Sequence, residues 1–176
     1  APVHGATFRH ADAVRFLADA RSVREEALTQ LRNYNNRAAF AATGLGYGVA
    51  CADSMTSVFL KGPGSELNFG KTTLEMAANE YESFQTVVIA GKKPLKNVKV
   101  EISPFKSSGE NKLEAESAVV GHSETKPMLY PREYTGFYPE FILEKQKEAD
   151  IAPGESVPFW IRIHAPKGTK AGRYTA

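Results

Sequence analysis

Apolar and polar positions follow two different rhythms along the chain, and the change falls near Thr43. From Arg9 to Ala42 there is no proline or glycine, and Val14, Leu17, Leu28, Leu31 and Ala38 recur at helical intervals, with Arg21, Arg24, Glu25 and Arg32 elsewhere. The pattern predicts one long helix, or two with a break around Asn33, Asn35 and Asn36. "TGLGYG" ends it, since Gly44, Gly46 and Gly48 interrupt helical periodicity and permit turns with positive φ. Its apolar stripe suits docking on a neighbouring domain. A dimerising seam is the alternative, although the alanine-rich face lacks sustained heptads of strong apolar residues.

After Gly48 short strand-like runs alternate with turn formers. "SMTSVFL", "TTLEMA", "FQTVVIA", "NVKVEIS", "KLEAESAVV" and "VPFWIRIHA" read as strands, separated by "KGPG", "GKKPLKN", "SSGEN" and "IAPGES". No helices alternate with them, so two packed antiparallel sheets are expected, an immunoglobulin-like or jelly-roll-like β-sandwich preceded by a long helix. The division is residues 1–43 as helical segment or linker and 44–176 as sandwich. In "AANEYESFQTVVIA", Phe84, Val88 and Ala90 fall on one face and Val87 and Ile89 on the other, so this strand is buried on both sides. Tyr81 and Phe84 are expected to anchor its start, and Trp160 points opposite to Phe159, Ile161 and Ile163. The stretch from Gly121 to Asp150 reads as one long irregular connection, a length that suits a functional or interfacial loop.

Composition narrows the function. With 176 residues, 42% hydrophobic and 24% charged, the chain holds one core of ordinary size. Its formal charge of +2 is spread over 22 basic and 20 acidic residues, so no concentrated field exists to hold nucleic acid. Cys51, the single cysteine, excludes an internal disulfide and reads as a small buried hydrophobe. No apolar run reaches the length of a membrane span.

Three motifs invite chemistry. Gly70, Lys71 and Thr72 fit the end of a phosphate-binding loop, but the earlier glycine is Gly64, one residue too far, and no strand and helix flank it. Lys71 and Thr72 read instead as the entry to a strand. Glu80 and Glu82 would share a strand face about 6 to 7 Å apart, within reach of acid and base work on a glycosidic bond; a solvated pair near a turn begun by Asn79 is the plainer reading. His4, His10, His122 and His164 are scattered without metal-ligand spacing, and Ser54, Asp53 and His164 lack a nucleophile elbow. No metal or cofactor is expected.

The ordered set "ADSMTSVFL", "TTLEMAANEYESFQTVVIA", "GFYPEFILE" and "IAPGESVPFWIRIHAPKGTKAGRYTA" resembles the N-terminal β-sandwich that precedes the catalytic barrel in bacterial glycoside hydrolases similar to family 123 and uncharacterised relatives. The resemblance runs from about Tyr47 to Ala176 and is most specific at Asn79 to Gln85, at Tyr138, Pro139 and Glu140, and from Pro153 to Thr175. The helical N-terminus departs from the family pattern. The resemblance implies a noncatalytic accessory domain, packed on a barrel that would follow residue 176, with a secreted or periplasmic setting. It also implies that the strand begun at "GRYTA" continues. Removal of terminal N-acetylgalactosamine is the family's activity, and its acidic pair lies in the barrel, so no catalytic residue transfers to this chain.

Two other classes compete. A free-standing carbohydrate-binding or adhesion module would use "MLYPREYTGFYPEF", where Tyr130, Tyr134, Phe137 and Tyr138 offer flat faces to sugar rings or to a partner domain. A structural protein would oligomerise through the helix.

Overall fold

The computed structural model describes residues 10–43, 45–61, 64–107, 112–126 and 135–176. The helical pattern is realised as one element, α1 (His10–Thr43), which runs through Asn33, Asn35 and Asn36 without a break. Nine strands follow among the described residues: β1 (Tyr47–Asp53), β2 (Glu80–Ala90), β3 (Leu95–Lys99), β4 (Phe105–Lys106), β5 (Lys112–Leu113), β6 (Ala115–Glu124), β7 (Phe137–Leu143), β8 (Glu148–Ile151) and β9 (Ser156–Ala165). The protein is thus mainly antiparallel β with one N-terminal helix, as its sequence pattern predicts.

Five strands form one sheet in the order β1-β2-β9-β6-β7, and two ribbons, β3-β8 and β4-β5, stand apart from it. On one face Phe84 and Val88 of β2 join Phe159, Ile161 and Ile163 of β9 and Val119 of β6 in a cluster that also takes in Leu95, Val98 and Ile151 of the β3-β8 ribbon and Phe105 and Leu113 of the β4-β5 ribbon. On the other face Val87 and Ile89 pack with Ala52, Val58 and Ala39 of α1, with Phe40, Leu67 and Phe69 around them. Strand β2 is therefore apolar on both sides, which is why it reads as a continuous run.

Several expected strands are not strands. "SMTSVFL" crosses the second face as a loop and buries the consecutive residues Val58 and Phe59. It is held by side-chain bonds to the sheet instead of by a ladder: Gln85 Nε2 donates to the carbonyls of Asp53 at 2.9 Å and Thr56 at 2.8 Å. "TTLEMA", which begins at Thr72, and Lys71 before it also form no ladder; Leu74 and Met76 alternate because they lean on the first cluster. Conversely, β1 begins at Tyr47 and Gly48 of the stretch read as a terminator, and β7 and most of β8 lie within the supposed irregular connection. Tyr81 does not anchor β2, since it is 59% exposed, whereas Phe84 is buried.

The helix docks by its C-terminal turns. Arg32 Nη2 donates to the carbonyls of Leu60 and Gly154, each at 2.8 Å, and Asn35 Nδ2 donates to that of Ser65 at 2.7 Å. Upstream, Val14, Phe16, Leu17 and Val23 are exposed, so the stripe expected to dock along its length does so only near its end. Gly48 serves by its size and does not take a positive φ: a Cβ there would stand 2.2 Å from that of Ala39. At the other end of the chain, Thr175 and Lys106 exchange backbone hydrogen bonds of 2.8 and 2.9 Å.

Candidate interaction surfaces

Of the four aromatic residues singled out in the sequence, Tyr130 and Tyr134 lie outside the described residues. Phe137 and Tyr138 open β7, which among the described residues is an edge strand paired with β6, and neighbours on a strand project to opposite sides. Phe137 is 46% exposed, while the half-buried Tyr138 meets Phe59 edge to face at a centroid distance of 5.1 Å. The two do not make one flat platform. Further along β7, Phe141 and Ile142 are 52% and 46% exposed. Pro139 and Glu140 suit an edge, since proline cannot extend a ladder and a charge discourages pairing; Glu140 accepts a hydrogen bond from Ser123.

A second surface occupies the part of the sheet that the loop after β1 leaves open. β1 ends where Asp53 meets Phe84, so among the described strands β9 alone pairs with β2 at Tyr81. Its ring stacks on that of His164, its register partner, at 4.1 Å and 10°. The Arg162 guanidinium lies 5.6 Å from the Tyr81 ring centroid. Arg162 also bonds Glu116 at 2.8 Å and approaches Glu144 at 3.7 Å. The hydrogen bond from Arg162, with its charge, holds the Glu116 carboxyl below the usual carboxylate range and raises the guanidinium in turn. Half-buried Trp160 lies next along β9, opposite Gln85.

The remaining candidates are placed plainly. Glu80 and Glu82 do share a side of β2, but each carboxylate accepts from a nearby main-chain amide, that of Ala77 and that of Ser83 respectively. Gly70, Lys71 and Thr72 are exposed and no helix follows them. His122 is partly buried on β6, and its Nε2 donates to the Val58 carbonyl at 2.9 Å. Burial pushes its imidazole below the ordinary value of 6.5. Cys51 is half-buried in β1, with its backbone bonded to Asn68 in both directions at 2.7 Å. Among the described residues no three His, Cys, Asp or Glu side chains gather as metal ligands would.

No functionally curated protein matches the chain. By fold it is similar to a family 123 glycoside hydrolase from Clostridium perfringens, studied for glycolipid glycan hydrolysis, with a TM-score of 0.60 and 14% identity. The similarity covers 73% of this chain and 23% of that enzyme, so this chain spans only a minor part of its length. The sequence profile of the glycoside hydrolase 123 N-terminal domain matches residues 66–176, which take in β2 to β9 and both ribbons. The chain belongs to the glycoside hydrolase 123 N-terminal domain family.

Proposed function

We propose that the chain is a noncatalytic N-terminal accessory domain of a glycoside hydrolase, seated through β7 on a catalytic barrel of the same protein. The observation that carries this reading is the exposure of Phe137, Phe141 and Ile142 along a strand at the edge of the described sheet. An apolar edge left in water templates unwanted pairing, and covering it with a neighbouring domain removes that hazard. On this reading residues 44–176 are the accessory domain and residues 1–43 a helical segment or linker, of which α1 is attached by the turns around Arg32, Asn35 and Ala39.

The carboxylates in reach support the noncatalytic part. Glu80 and Glu82 are spent on local amides. An aryl N-acetyl-β-galactosaminide incubated with this chain should release no phenol above buffer. Turnover abolished by Glu80→Gln or Glu82→Gln would overturn the reading.

A second reading, a carbohydrate-binding module that uses the aromatic loop, draws on the exposed ring of Phe137. Tyr138 weakens it, because that ring is engaged with Phe59.

A further inference from the structure

We infer that α1 pairs in parallel with α1 of a second copy of this chain, along a row of side chains that faces away from the sheet. The inference does not depend on what covers β7. Along residues 12–27 every side chain is exposed except that of the half-buried Ala13. A helix draws most of its stability from packing one face on a neighbour, and this stretch lacks the burial that the turns around Asn35 and Ala39 receive. The row is Phe16, Ala20, Val23, Ala27, Gln30 and Tyr34, whose steps alternate between four and three residues as the d and a positions of heptads do. Phe16, Val23 and Tyr34 are 67%, 68% and 67% exposed. This row is distinct from the stripe through Val14, Leu17 and Leu28, and it lies about 130° around the helix from Arg32, Asn35 and Ala39. Tyr34 therefore stays open beside buried Asn35, and two copies can meet along the row with their sheets on opposite outer sides.

Charge selects the occupant and its direction. Asp12, Asp19 and Glu26 flank the row at g positions, and Leu17, Arg24 and Leu31 flank it at e positions. In an antiparallel pair g meets g, which sets each acidic row against its own copy. In a parallel pair g meets the e position five residues on, so Asp19 of each copy meets Arg24 of the other, and Leu17 and Leu31 widen the seam. Within one helix the facing neighbours are three or four residues apart, so Asp19 and Arg24 do not serve each other. The surface complements itself.

The row is about 27 Å long, fewer than three heptads, so weak pairing is expected, with a Kd on the order of 100 µM. Sedimentation equilibrium of the chain from about 10 µM to about 1 mM should show the mass rising from one copy towards two, with helix content by circular dichroism rising alongside. Val23→Asp should weaken the association at least about 10-fold, since it places a charge in the seam. Asp19→Arg should weaken it about 3- to 10-fold, and adding Arg24→Asp to that variant should restore it. Met55→Asp, at an 88% exposed position on the loop after β1, should change nothing. All four positions are exposed, and unchanged melting temperatures at micromolar concentration verify that the variants fold. A chain that keeps the mass of one copy throughout, or that reaches three copies or more, would overturn the inference. So would a dimer that Val23→Asp leaves intact, which would assign the contact to another surface, or a charge reversal that Arg24→Asp does not rescue.

Discussion

Ala39 of α1 lies so close over Gly48 of β1 that a methyl group added to Gly48 would stand 2.2 Å from the methyl of Ala39. Helix and sheet meet there without side-chain space on either side. Ala39 is fully buried, whereas Phe16 and Leu17 on the same helix are 67% and 56% exposed.

The first prediction separates the two parts of the helix. Gly48→Ala should destabilise the fold by about 1 to 3 kcal/mol or more, because the backbones must part to admit the methyl. Phe16→Ala and Leu17→Ala should each stay within about 0.5 kcal/mol, as exposed substitutions do. Leu31, 39% exposed, should fall between them. Thermal melts of the four variants measure the order, and a Gly48→Ala variant that melts with the native protein would contradict the docking.

A second prediction concerns Gln85, a buried amide within an apolar strand. Its Nε2 donates to the Asp53 and Thr56 carbonyls and thereby fastens the loop that covers Val87. Gln85→Leu should cost about 1 to 3 kcal/mol, since carbonyls that lose a buried donor keep the cost of desolvation. Hydrogen exchange should quicken first in residues 54–60. Unchanged stability would mean that water replaces the side chain at no cost.

How much was legible in the sequence follows from the same residues. β2 and β9 stand out because they are buried on both faces or strictly alternate, as Phe159, Ile161 and Ile163 do against Trp160. β1 hides because its contact with α1 demands Gly48, Ala50 and Ala52, residues with little strand signal of their own. The segment "SMTSVFL" misleads for a complementary reason. A covering loop that buries Val58 and Phe59 carries the apolar content of a strand without its ladder. Of the aromatic candidates, Phe137 and Tyr138 were found, but their division between solvent and Phe59 depends on the loop after β1. The Tyr81, Arg162 and His164 cluster was not found, because residues 81 and 164 are joined only by the register of β2 with β9.

The pH dependence is set by His122. Its folded-state affinity for protons is lowered by burial, so the unfolded chain binds a proton more readily and stability rises with pH through that window. The contribution is complete above the ordinary value of 6.5 and is lost as pH falls through the lower folded value. Glu116 and Asp150, paired with Arg162 and Lys96, act in a separate and more acidic window, losing their contribution as pH falls below the usual carboxylate range. Tm should therefore decline from neutral pH into mildly acidic solution. His122→Gln should flatten that decline while leaving the more acidic loss in place. An equal decline in both proteins would remove His122 as its source.

If the proposal holds, the exposed Phe137, Phe141 and Ile142 of β7 are covered by a catalytic domain of the same protein. Hydrogen exchange of the amides of Phe137–Leu143 tests it most directly, measured in this chain alone and in the longer polypeptide that carries the catalytic barrel. The outward-facing amides of β7 should exchange markedly more slowly in the longer protein, while those of β2, already paired on both sides along most of its length, should not change. Phe141→Asp should abolish the difference without lowering the stability of this chain. Identical exchange of β7 in the two proteins would contradict the claim.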